Sequence, residues 1–271
     1  MVQIFLAMVI IALGFYVFKF YPFEKGNVMN LVLSAIFIII TVVCKRFLTF
    51  MIPLFGLESL KIGIEYLPLM LAGYFLSPSY AFLIGFCCDM IGLILVPTGF
   101  PFLGFTLVMI LVAVIPSLVK VHIQNMSEKN VQRMAIGLIA LLGLGASVYI
   151  YQLGSFQVSE TMITLTQIQK IILIVICLAL TAIFVMMMFF LKKRISDSEA
   201  KEFSTWMLSV LLVEVICTLC LTPFWLDIMY GLPYFVSLCV RVIKECAVIP
   251  LEIFIGYTLI KLLKRIFIRI N

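Results

Sequence analysis

The stretch Leu31-Val32-Leu33-Ser34-Ala35-Ile36-Phe37-Ile38-Ile39-Ile40-Thr41-Val42-Val43, followed at once by Cys44-Lys45-Arg46, decides the fold class. Its apolar residues neither alternate, as in a strand that faces lipid on one side only, nor leave a polar stripe for solvent. A helix needs about 20 mostly apolar residues to cross a bilayer, and this run lies inside such a segment, Val28–Cys44. Eight further segments read the same way: Val2–Phe18, Ile62–Leu76, Tyr80–Val96, Leu103–Val119, Met134–Gln152, Ile168–Leu191, Phe203–Leu221 and Phe235–Leu263. The third and fourth spans are joined only by Ser77-Pro78-Ser79, which predicts a tight helical hairpin with Pro78 at a helix start. The last span is long, and a tilt or a break near Pro250 is expected.

Composition agrees. Of 271 residues, 65% are hydrophobic and 12% charged, whereas soluble domains carry about 25% charged residues for their surface. So apolar a chain is not disordered either. The expected fold is all-α, a polytopic helical membrane protein of about nine spans. The first span carries no cation before its apolar run and no small-residue cleavage pattern after it, so it reads as a retained helix.

The net charge of +6 follows from placement along the spans and needs no nucleic-acid partner. With the N-terminus outside, thirteen of the 19 basic residues fall on the cytoplasmic side. They are Lys19, Lys25, Lys120, Lys129, Arg133, Lys192, Lys193, Arg194, Lys201, Lys261, Lys264, Arg265 and Arg269. The outer loops Leu153–Gln167 and Thr222–Pro233 hold no lysine or arginine. The positive-inside rule selects this orientation, with the C-terminus cytoplasmic.

Six cations break the rule: Lys45, Arg46, Lys61, Lys170, Arg241 and Lys244. Lys170 sits at an outer helix end, where snorkelling accounts for it. A cation within a span costs about 2.5–3.5 kcal/mol on insertion scales and faces a wet cavity or a partner. Arg241 and Lys244, three apart, share one helix face. Two readings follow: an outward cavity for an anionic ligand, or snorkelling with pairing to Glu58, Glu65 and Glu245.

Other chemistries are poorly represented. There is no GxxxxGK[ST] phosphate loop, and the single histidine, His122, lies on a cytoplasmic loop. The eight cysteines all fall in apolar segments, so a disulfide framework is not indicated, and Cys217-x-x-Cys220 reads as core filling. No catalytic residue, metal or cofactor is expected. Instead, Pro97-Thr98-Gly99-Phe100-Pro101-Phe102-Leu103-Gly104-Phe105-Thr106-Leu107 stands out at the outer connection of spans four and five. Its prolines and glycines fix an irregular backbone, and its phenylalanines offer flat apolar faces. Such a loop stacks on a planar ring or forms a rigid interfacial turn. Asp89, mid-span on the helix before it, is suited to paired hydrogen bonds with an amino-substituted heterocycle, or to a salt bridge with an outer cation.

Together these residues resemble the substrate-binding S component of energy-coupling-factor (ECF) vitamin importers, in the folate-type branch. Val42-Val43-Cys44-Lys45-Arg46-Phe47-Leu48 is similar to the end of that family's first helix. Leu60-Lys61-Ile62-Gly63-Ile64-Glu65-Tyr66-Leu67-Pro68 is similar to the opening of its second. Gly85-Phe86-Cys87-Cys88-Asp89-Met90-Ile91-Gly92 with the Pro97–Leu107 loop resembles its most specific run. Pro233-Tyr234, Arg241-Val242-Ile243-Lys244 and Pro250 resemble its last helix. Two positions depart: Ile39 replaces the second small residue of an Ala-xxx-Ala docking pattern begun by Ala35, and Leu221 stands where asparagine often precedes Thr222.

The resemblance implies an organisation and a mechanism. Residues 1–27 form an additional N-terminal helix, 28–121 core helices one to four, 122–202 an additional helical hairpin, and 203–271 core helices five and six with a cytoplasmic tail. Such a subunit, in a bacterial cell membrane, captures a vitamin outside. It then joins a transmembrane coupling subunit, here through Ala35, and two ATPases that drive release by toppling it. Arg46, Arg241 and Lys244 are then the candidates to hold carboxylates of a folate-like ligand, and Lys61, Gly99 and Thr106 are further candidate contacts. Asp89 hydrogen-bonds its heterocycle, and Phe100, Phe102 and Phe105, with Trp225 across the cavity, stack on it or roof it.

Overall fold

The computed structural model describes residues 2–23, 28–54, 57–63, 65–95, 101–152, 155–158, 161–164, 166–194, 197–232 and 234–270. Its helices are α1 (Val2–Phe20), α2 (Val28–Phe47), α3 (Tyr66–Phe75), α4 (Pro78–Leu95), α5 (Leu103–Ile123), α6 (Glu128–Gln152), α7 (Gln167–Arg194), α8 (Asp197–Val213), α9 (Thr222–Tyr230) and α10 (Tyr234–Ile270). A π-helical segment, Glu214–Leu221, joins α8 to α9 without a break, so the described residues make nine helical passes. Six helical stretches are long and apolar enough to cross a membrane. The chain is a multi-pass helical membrane protein, as its sequence predicts.

The core forms around α5. Its apolar stretch is 67% buried, against 11% for α2 at the periphery. α3 and α4 both pack along α5, and every residue from Leu67 to Tyr74 is buried. Two glycines set the spacing. A Cβ on Gly73 would fall 1.8 Å from the Ala113 carbonyl oxygen, and one on Gly85 would fall 2.6 Å from Ile110 Cα. Close backbone approach of this kind is how membrane helices gain packing energy without a hydrophobic drive between them. α1 lies against α4 and α5, with Phe18 edge-on to Phe82 at 5.4 Å.

Two connections differ from the sequence reading. Thr49–Leu54 (β1) pairs antiparallel with Leu57–Gly63 (β2), and Ser155–Val158 (β3) with Thr161–Thr164 (β4). The third span therefore starts at Tyr66, not at Ile62. The apolar character of Ile62 belongs to a hairpin whose backbone groups satisfy one another by pairing. Of the tilt or break expected near Pro250, the break is absent, since α10 continues through it. Neighbouring helices can accommodate the hydrogen bond a proline removes, and α10 beyond it is held by Trp206, whose Nε1–H donates to the Ile253 carbonyl at 3.2 Å.

Four of the cations expected on the cytoplasmic side, Lys120, Lys201, Lys261 and Lys264, gather at one end. Lys120 donates to the Tyr74 carbonyl at 2.7 Å and Lys201 to that of Gln124 at 2.8 Å. Lys261 and Lys264 pair with Glu199 and Glu202 at 3.0 and 2.7 Å.

Candidate ligand-binding site

At the opposite end from that basic cluster, α4 brings Asp89 beside the first turn of α5. Asp89 is buried, and Thr106 Oγ1 donates to its Oδ2 at 2.7 Å. Lys45 reaches over from α2, passing Gly92, to place Nζ 3.5 Å from Oδ1. Of the two readings open for Asp89, the protein alone realises the ion pair. A carboxylate has about four lone-pair sites, and a contact as long as 3.5 Å leaves room for a closer donor. The sequence reading named Arg46 but not Lys45 as a ligand contact. Here Lys45 turns to Asp89, while Arg46, one residue on, lies on the exposed side of α2.

The aromatic residues named from the loop converge where α5 begins. Phe102 stands edge-on to Phe105 at 5.8 Å and to Trp225 of α9 at 5.7 Å. Gly104 permits this meeting, because a Cβ there would fall 2.3 Å from the Phe102 ring and 2.8 Å from that of Trp225. Trp225 is 6% exposed, and its indole Nε1 has no hydrogen-bond partner among the described residues. A buried N–H costs free energy until something accepts from it. This is a donor facing outward-end aromatics, next to the most distinctive loop of the chain. Gly99 and Phe100 lie outside the described residues. Lys61 is placed on β2, opposite Met51 of β1.

Gln3, which the sequence reading passed over, fixes the loop. Its Oε1 accepts from the Leu103 backbone N–H at 3.1 Å, and its Nε2 donates to the Pro101 carbonyl at 3.3 Å. Helix α1 thereby holds both sides of the turn that carries Phe102. The signal was present: Gln3 is a lone amide in the otherwise apolar first turns of α1.

Arg241 and Lys244 point inward from α10, as their shared face predicts. Arg241 is buried, with Nε 3.4 Å from Ser237 Oγ, and it interacts electrostatically with Tyr66, Glu245 and Glu214. Lys244 Nζ is 2.9 Å from Glu245 Oε1. The pairing expected for Glu245 is thus present, and neither cation is splayed toward headgroups. Two groups result, one around Asp89 on α2, α4 and α5, the other around Arg241 on α3 and α10. The continuous helix α8–α9 runs past both, carrying Glu214 near Arg241 and Trp225 near Phe102. Ala35 lies on the exposed face of α2 with Ile39.

No family model matches the chain. The curated folate transporter FolT of Clostridium novyi (strain NT) is 32% identical over 119 residues. The chain is similar to a folate transporter. The match spans 44% of this chain and 64% of that relative, slightly under two thirds of its length. The likeness supports the folate-type resemblance read from the motifs above.

Proposed function

We propose that this protein is the S component of an ECF-type importer, and that it captures folate or a similar anionic heterocyclic vitamin from outside the cell. The observation that carries the reading is the buried Trp225 N–H, unpaired among the described residues, amid the Phe102–Phe105 aromatics. A planar heterocycle would accept from it and stack there, while the neighbouring Asp89 carboxylate would accept hydrogen bonds from the amino-substituted ring edge. The vitamin's carboxylates would meet Arg241 and Lys244 on α10, with Arg46, Lys61 and the Gly99–Phe100 stretch closing the outer side. A directional contact to a buried charge is worth about 1.5–3 kcal/mol.

The resemblance supplies the remainder of the account. The vitamin-loaded subunit would join a transmembrane coupling subunit over the α2 face bearing Ala35. Two ATPases would then drive release into the cytoplasm of a bacterial cell. The absence of a phosphate-binding loop in the sequence suits a subunit that leaves nucleotide hydrolysis to its partners.

Uptake of labelled folate by cells expressing this chain, with and without a coupling subunit and its ATPases, tests the proposal. Uptake is expected only when the coupling module is present. Uptake by the chain alone, persisting after ATP depletion, would identify a self-sufficient secondary transporter instead.

A further inference from the structure

Below Arg241, the helical core contains three carboxyl groups that ligand capture does not explain. Glu214 opens the π segment, and Glu245 and Glu252 lie two turns apart on α10; they are 1%, 2% and 5% exposed. Glu214 interacts with both Glu252 and Glu245. The charged groups facing them are Lys244 and Arg241 on α10, and Glu65 and Tyr66 flank the site from the start of α3. Among the described residues, these three buried carboxylates face two cations, Arg241 and Lys244, which leaves one negative charge of that set uncompensated. Such a charge is costly away from water. As ionised groups, carboxylates only accept, and Glu214 Oε1, Glu245 Oε2 and Glu252 Oε2 find no donor among the described residues. A proton between two of them supplies the donor and cancels the charge, as in paired-carboxylate sites generally.

Two further features belong to the same place. Thr218 Oγ1, 1% exposed, lies beside Glu214. π turns concentrate at functional sites, and this one carries both side chains. A cavity of about 110 Å³, lined mostly by apolar side chains such as Leu142, Leu211 and Ile249 with Glu245 and Thr181 in its wall, lies between α6, α7 and α10.

We propose that Glu214, Glu245 and Glu252 form a proton-binding site, and that an anionic ligand engaging Arg241 and Lys244 draws a further proton into it. The second half rests on the folate reading above. A ligand carboxylate that takes Lys244 from Glu245 leaves the triad more negative, and protonation restores the balance. Binding then strengthens as pH falls, by up to about tenfold per pH unit for one proton.

Calorimetric titration of folate into the full chain in nanodiscs, in two buffers of different ionisation enthalpy near neutral pH, measures that proton. Net uptake approaching one proton per folate is expected, with Glu214→Gln binding folate but taking up far less. Folate binding without uptake, or an affinity that follows sodium rather than pH, overturns the linkage. Infrared spectra of the ligand-free wild-type protein judge the resting site independently of any variant's folding. A buried carboxylic acid band is expected near neutral pH, and its absence overturns the site. Wild-type protein that shows the band yet binds no folate contradicts the vitamin reading and the linkage, and leaves the proton site standing.

Discussion

Thr106 Oγ1 donates to Asp89 Oδ2 at 2.7 Å, and this single bond joins the outer end of α5 to a carboxylate buried within α4. Replacing the hydroxyl by a methyl leaves the carboxylate in the same burial with only the long Lys45 contact. Thr106→Val is therefore expected to cost about 1.5–3 kcal/mol, read as a lower unfolding temperature of the detergent-solubilised protein. An unchanged temperature would mean that water reaches Asp89 freely.

The glycine contacts make a sharper packing prediction. Gly73→Ala and Gly85→Ala drive a methyl group into the α5 backbone, which cannot rotate away as a side chain can. Each should cost about 3 kcal/mol or more, seen as loss of monodisperse protein. Gly137→Ala, which meets nothing within 4 Å, should fold normally.

Fluorescence separates the two tryptophans. Trp206 is locked to Ile253 near the basic end, whereas Trp225 stands among Phe102 and Phe224. Folate is expected to quench Trp206→Phe protein as it does wild type, and Trp225→Phe protein hardly at all. Equal quenching in both would move the ligand away from α9.

Gln3 gives helix α1 a measurable role. With Gln3→Ala, the Leu103 N–H loses its acceptor. Amide exchange at Leu103 should accelerate and folate affinity should drop several-fold, while the α4–α5 core stays protected. Exchange at Leu103 as slow as in wild type would show that α1 does not hold the loop.

Much of this architecture is legible in the sequence because membrane helices announce themselves by length and apolarity alone. Nine passes, the Ser77–Ser79 hairpin and the inward face shared by Arg241 and Lys244 all follow from spacing. What spacing does not carry is which outer cation meets Asp89, and Lys45 is the one that does. Short β-hairpins were missed because Ile62 and its neighbours are equally apolar in a strand and in a helix. The Glu214–Glu252 contact joins two distant helices, and no local pattern signals it. Gln3 was overlooked for the same reason, since its partners lie about a hundred residues away.

The central claim, that Arg241 holds a carboxylate of the captured vitamin, is tested most directly by equilibrium folate binding in nanodiscs to wild type and Arg241→Ala. The variant should bind at least about tenfold more weakly, as expected for loss of about 1.4 kcal/mol or more, with its helical content retained. Equal affinity in the two proteins would contradict the account.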